Sequence, residues 1–295
     1  MTGGRSQRTP GAVRATLLML AGLGLFAVLD ANSKNLSGTY PVEQVVLIRH
    51  LVLLTLLLTA RAVWPGAGGP IATAYPARTL ARAAGMLGAA VFFFLAFRSL
   101  PLADGYLVFF TAPFMTLGLA VVVLREKMRA AAWGWAAVGF GGVVIAMLPD
   151  LRAGGLWLSY LYAFIGTICH AVVMTSNRGL RHEGGFARLV VWPAVLAVSV
   201  LLPFAIADWR PAPTKDLLAL MANGVLAGVA NICLALAFRH ATAARLAPLE
   251  YSALVWAVLF DVLIWHHWPG VWTLVGAVVI VLACWMSQRK VRKAP

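Results

Sequence analysis

Ten stretches of mainly apolar residues follow one another along the chain, with only short polar joints between them. They cover 13–36, 42–63, 79–98, 102–124, 131–148, 156–177, 186–207, 215–238, 242–265 and 270–287. About twenty apolar residues in a helix cross the hydrocarbon of a bilayer. No water-soluble core has room for ten such segments, so lipid is the solvent for much of this surface. The joints carry turn-forming residues, as in Gly38-Thr39-Tyr40-Pro41, Pro65-Gly66-Ala67-Gly68-Gly69-Pro70, Gly154-Gly155, Gly184-Gly185, Pro211-Ala212-Pro213 and Pro269-Gly270. Charged residues make up 12% of the 295 positions, against about 25% in soluble domains. The predicted fold class is an all-α membrane protein with ten transmembrane helices.

A net charge of +14 raises the question of nucleic acid. A nucleic-acid binder gathers its Lys and Arg on one face of a soluble core. Here they gather in alternate joints. Eighteen fall on one side: Arg5, Arg8, Arg14, Arg61, Arg78, Arg82, Arg125, Lys127, Arg129, Arg178, Arg181, Arg188, Arg239, Arg245, Arg289, Lys290, Arg292 and Lys293. Five fall on the other, Lys34, Arg98, Arg152, Arg210 and Lys215, and Arg49 lies within a span. That bias places both termini in the cytoplasm of a bacterial inner membrane and requires an even number of spans. Arg5, Arg8 and Arg14 before Leu17–Leu29 have the outline of a secretory signal. The run continues into Asp30-Ala31-Asn32-Ser33-Lys34 without a small-x-small cleavage site, so the expectation is an uncleaved first span.

An internal echo follows. Ala96-Phe97-Arg98, at the end of the third span, returns as Ala237-Phe238-Arg239 at the end of the eighth, 141 positions later. Ala103 matches Ala244 at the same separation, and Gly134 nearly matches Gly276. Two halves of five spans, 1–150 and 151–295, must enter the membrane in opposite senses. Inverted repeats of this kind mark transporters, with the substrate site at their interface near the midplane.

The stretch from Ala96-Phe97-Arg98-Ser99-Leu100-Pro101 through Pro113 to Arg125-Glu126-Lys127, Gly134 and Gly139-Phe140-Gly141-Gly142 resembles the EamA-type repeat of the drug/metabolite transporter superfamily. The second half, from Ala237 through Ala247-Pro248-Leu249-Glu250-Tyr251 to Trp268-Pro269 and Gly276, resembles it again. The resemblance implies two inverted five-helix repeats around a central cavity, and secondary transport by alternating access. One departure is visible: His266-His267-Trp268 stands where the second repeat usually carries the counterpart of Glu126. The family moves very different solutes, so the resemblance does not name the cargo.

A charge inside the bilayer costs at least about 2.5–3.5 kcal/mol on insertion scales, so each one needs a reason. Asp30 and Lys34 are four apart on one helical face, and form either a mutually satisfied pair or a solute-facing pair at the outer mouth. Arg49 either fixes a substrate carboxylate or locks onto Asp30 or Glu43. Glu250 follows Pro248, whose missing N–H opens the helix. Its carboxylate suits a substrate ammonium or a coupling proton, as does that of Asp30, and the alternative is a hydrogen bond to a neighbouring helix. Asp261, eleven residues on, shares its helical face. Pro113 is the expected hinge of the first half and Pro248 of the second. Tyr106, Phe109, Tyr251, Trp256, His170, Asn177 and Asn231 are the further candidates for lining the cavity, where aromatic faces hold cations.

The expected cargo is a small polar metabolite, amino-acid-like and zwitterionic or cationic, with a proton or counter-solute as coupling partner and membrane lipid around a monomer or homodimer. No phosphate-binding glycine loop occurs, and no cofactor is expected. Cys169, Cys233 and Cys284 lie in apolar runs without ligand spacing, and His266 and His267 adjoin rather than sit at i and i+4, so no metal is expected. The rival reading, a membrane-embedded enzyme acting on a lipid-linked or small-molecule substrate, has only His266, His267 and Asp261 to draw on. The chain is therefore expected not to be an enzyme.

Overall fold

A computed structural model describes residues 10–124, 130–153, 155–180, 183–241, 246 and 249–291. Among them every regular element is helical. The helices are α1 (Pro10–Ser37), α2 (Val42–Val63), α3 (Pro76–Phe97), α4 (Leu102–Phe109), α5 (Ala112–Leu124), α6 (Ala130–Ala153), α7 (Trp157–Gly179), α8 (Ala187–Ala207), α9 (Thr214–His240), α10 (Ser252–Trp265) and α11 (Val271–Val291). Eight stretches are long and apolar enough to cross a membrane, with α4 and α5 counting together as Leu102–Val123. Ser252–Trp265 and Val271–Met286 are shorter and equally apolar. The chain is thus an integral membrane protein of about ten crossings, whose ends fall close to those expected from the sequence except at the start of the ninth, which lies among residues outside those described. Pro248, the expected second hinge, lies outside the described residues, as do Arg125-Glu126-Lys127 and Ala244.

Helices pack where small residues let backbones approach, because lipid offers no hydrophobic drive to hold them together. The most extensive pairings are α3 with α7, α1 with α9, α6 with α11 and α2 with α8. A Cβ on Gly85 would stand 2.7 Å from the Cys169 carbonyl of α7, and one on Gly224 would stand 2.5 Å from Val52 of α2. Gly142 and Gly276 bring α6 and α11 together in the same way, with 2.5 Å from a Cβ on Gly276 to the Gly142 carbonyl. Large apolar side chains such as Leu58, Phe204, Val255 and Val278 turn outward, as a lipid-facing surface requires.

The separation of 141 seen in the sequence reappears in the backbone. Shifting α5 and α6 by it gives 253–265 and 271–294, nearly the spans of α10 and α11. The same shift carries α1 and α3 close to α7 and α9, so the α3–α7 pair becomes the α9–α1 pair. Polar braces match as well. Arg82 on α3 donates to Asn177 Oδ1 on α7 at 2.7 Å. Its counterpart on α9, Asn223, accepts from Asn32 of α1 at 2.8 Å and donates to Ser33 at 3.1 Å.

The fourth crossing is broken at Phe110–Thr111. Pro113 has no N–H to give the Phe109 carbonyl, and the Phe114 amide bonds to Thr111 instead of Phe110. The Thr111 amide and hydroxyl both turn back to Val108, at 3.0 and 2.7 Å. The ninth crossing breaks at Tyr251, just before α10, which is 141 positions after Phe110. The two breaks meet: the Phe110 and Tyr251 rings lie 5.4 Å apart, edge to face, and the Cys284 thiol donates to the freed Phe110 carbonyl at 3.7 Å.

Candidate substrate site

One end of the bundle, here the Lys34 end, is closed by a non-local charge cluster. Lys34 extends from α1 to donate to the Leu100 carbonyl at 2.7 Å, and sits 3.7 Å from Asp261 Oδ1 of α10. Its ammonium also lies 4.5 Å from the centre of the Trp265 ring. Asp261, buried, accepts the Leu102 and Ala103 amides at 3.0 and 2.8 Å. A carboxylate from α10 therefore caps α4, whose first amides have no intrahelical partner. Asp104, in the first turn of α4, accepts from Thr273 at 2.9 Å.

One helical turn deeper lies Asp30, which accepts the Tyr106 hydroxyl at 2.6 Å. Asp30 is seven residues from the end of α1 and Arg49 seven from the start of α2, so each lies about 10 Å below the Lys34 end at 1.5 Å per residue. Arg49 is half-buried and feels the Asp30 charge, but no direct ion pair joins them. Among the described residues its guanidinium has no hydrogen-bond partner. A cation inside a bundle without a partner is costly, and the five N–H donors of a guanidinium suit a planar anion.

Aromatic rings lead down from this point. Tyr106 meets Phe109 at 6.1 Å, and Phe109 meets His170 of α7 at 4.8 Å, edge-on. Phe93 and Phe97 pack on the same side. The path continues through Phe110 to Tyr251, next to Glu250. Glu250 is exposed, and stands about 22 Å from the Lys34 end, fifteen residues before Trp265.

The sequence candidates thus divide. Asp30, Arg49, Tyr106, Phe109 and His170 share one region, and Tyr251 and Glu250 sit at its far end. Asn177 is engaged by Arg82, and Asn231 donates to Ala227 of its own helix at 2.7 Å. Trp256 packs against Gly24 of α1 and stacks on Phe260. The local Asp30–Lys34 pair does not form, since each finds a partner on another helix. Glu250 and Asp261 do not share a continuous helical face, because the break at Tyr251 lies between them. Asp104 escaped notice in the sequence, although a carboxylate just after Pro101 is a helix-start signal. A cavity of about 290 Å³ lined by Asn32, Asn35, Tyr40, Lys215 and Asp216 opens beside this site, on the α9-facing side of α1.

Known proteins share this fold. The backbone superimposes on a solved crystal structure with a TM-score of 0.61 at 19% identity, covering 94% of this chain and 98% of the other. The model of the EamA-like transporter family matches residues 157–288. The pseudopaline exporter CntI of Pseudomonas aeruginosa is 27% identical over 271 residues, 88% of this chain and 90% of its own. The second half of this chain is thus similar to the EamA-like transporters. A further relative is an S-adenosylmethionine uptake transporter of Rickettsia conorii, 28% identical over 181 residues, 61% of each chain. One of these relatives is named for export and the other for uptake.

Proposed function

We propose that this protein is an EamA-type secondary active transporter that moves a small zwitterionic or cationic, amino-acid-like metabolite across the bacterial inner membrane by alternating access. In this reading residues 1–150 and 151–295 are inverted repeats, both termini are cytoplasmic, and the Lys34 end faces outward. The observation that carries it is the unpartnered Arg49 guanidinium at the depth of Asp30. The first takes the cargo's carboxylate and the second its ammonium, while Phe109 and His170 wall the site. The two broken crossings, at Phe110–Thr111 and at Tyr251, support it, because discontinuous helices at a repeat interface are where transporters bind. The aromatic path ends at Glu250, a second carboxylate placed to receive the cation or a coupling proton on the cytoplasmic side.

Thermal unfolding of the purified protein with amino acids, and with the amines and acids that carry only one of the two groups, tests the binding step. Amino acids of the right side chain raise the midpoint. Arg49→Met removes the contribution of the carboxylate and Asp30→Asn that of the ammonium. If both variants respond to every ligand as the parent does, the site is elsewhere. In liposomes, Glu250→Gln abolishes uptake while leaving the melting curve in place; unchanged uptake removes Glu250 from the transport cycle.

A further inference from the structure

Lys34 and Asp30 lie four residues apart on α1, the spacing at which a lysine and a carboxylate reach each other. In this structure they do not pair. Lys34 is turned away, held by the Leu100 carbonyl at 2.7 Å, by Asp261 at 3.7 Å and by the Trp265 face at 4.5 Å. Asp104 adds a further negative charge near the ammonium. Asp30 is left with the Tyr106 hydroxyl and the more distant Arg49. The restraints on Lys34 come from the α3–α4 turn and from α10, which must separate from α1 if the Lys34 end is to open.

From this placement we infer that Lys34 is a tethered competitor for the cation subsite at Asp30. While the Lys34 end is shut, Asp261 holds the ammonium and Asp30 is available to the cargo's positive group. When that end opens, Asp261 and the Leu100 carbonyl withdraw. Lys34 is then a charge without a partner one helical turn from a carboxylate. It swings to Asp30 and displaces the cargo's ammonium toward the open side. Lys34 is a positioning residue in this scheme: it acts on the cargo through Asp30. The inference rests on the reading of Asp30 as the cation subsite.

The test needs no cargo. Phe109→Cys, joined to Asp30 through one ring contact with Tyr106 and the Tyr106 hydrogen bond, is placed in a background with Cys169, Cys233 and Cys284 replaced by serine. Its rates of reaction with 2-(trimethylammonium)ethyl and 2-sulfonatoethyl methanethiosulfonate are measured in detergent. Their ratio reports local charge, whatever the accessibility. Asp261→Asn frees Lys34 to neutralise Asp30, and the ratio of cationic to anionic rates falls by about threefold or more, as expected for a unit charge moved next to the site. In a Lys34→Met background there is no ammonium to move, and the same Asp261 change alters the ratio by less than about half as much. An equal fall in both backgrounds is the direct effect of losing one carboxylate, and overturns the switch. Asp261→Ser, whose hydroxyl still accepts one α4 amide, serves in place of Asp261→Asn where the latter does not fold. An equal fall would leave the role of Asp30 in binding to be judged by the ligand-melting experiment.

Discussion

At the Lys34 end, a lysine and a carboxylate from helices 227 positions apart close over the start of α4. At the opposite end, two loops meet. There Glu183, between α7 and α8, accepts the Thr73 hydroxyl at 2.8 Å and the Ala74 amide at 2.6 Å, both from the loop between α2 and α3. Arg188 pairs with Glu183 at 2.7 Å and donates to the Glu183 and Gly184 carbonyls. The Ala187 amide reaches the Gly68 carbonyl at 2.8 Å. Gly69 and Gly185, both at positive φ, approach so closely that a Cβ on Gly69 would stand 2.9 Å from the Gly185 Cα. Shifting the Lys34–Asp261 lock by 141 residues finds no second lock. Lys34 maps onto Thr175, whose buried hydroxyl has no partner among the described residues, and Asp261 maps onto the fully buried Ala120. The helix bounds recur at this separation and the chemistry does not, so the two ends are held by different contacts.

The sharpest way to break this comparison is at Asp261. Asp261→Leu strands the Lys34 ammonium and uncaps two α4 amides, and should lower stability by about 3–5 kcal/mol, the range for one partner lost from a buried pair. Thermal unfolding in detergent measures it. A loss of the size seen at an exposed ion pair, below about 1 kcal/mol, would show that the end is held by packing alone.

Acid separates the two ends next. Burial pushes the Glu183 carboxyl up, but hydrogen bonds from Thr73 and Ala74 and the Arg188 charge outweigh it and hold the group below its ordinary value of 4.5. A depressed folded value means that the carboxylate's contribution is complete above about pH 4.5 and is lost as the pH falls through the folded value. Amide exchange over 66–75 and 183–190, corrected for intrinsic rates, should therefore accelerate below that pH. Glu183→Gln should exchange fast at every pH. If the variant keeps the acid response of the parent, another group carries it.

The smallest effect is expected at Thr175. Replacing a buried hydroxyl that has no partner with a methyl group of the same shape removes an unmet desolvation cost. Thr175→Val should leave the melting temperature unchanged or raise it by an amount worth up to about 1 kcal/mol. A clear loss would mean that the hydroxyl does take part in holding this end.

The crossings were readable because a bilayer sets one length for all of them, and apolar runs announce it. The break in the fourth was readable too, since Pro113 removes a known hydrogen bond. The partners of the charged residues were not. The i, i+4 rule assumes that a helical neighbour is the nearest opposite charge, whereas Asp30 and Lys34 found Tyr106 and Asp261 on other helices. Asn177 and Asn231 show the same limit from the other side. Both read as cavity-lining amides, yet one braces Arg82 and the other bonds its own helix, choices that depend on which way each helix is rotated.

Arg49 has a consequence for energetics on the scale of the whole cell envelope. With Arg49 and Asp30 near one depth and within reach of each other's charge, a cargo that brings one charge of each sign would leave the occupied site with the same net charge as the unoccupied one. The membrane voltage, which acts with about 2.3 kcal/mol per elementary charge per 100 mV, then finds no net charge to pull on in either form. For such a cargo, any response of transport to voltage would have to come from a coupling ion, such as a proton carried by Glu250.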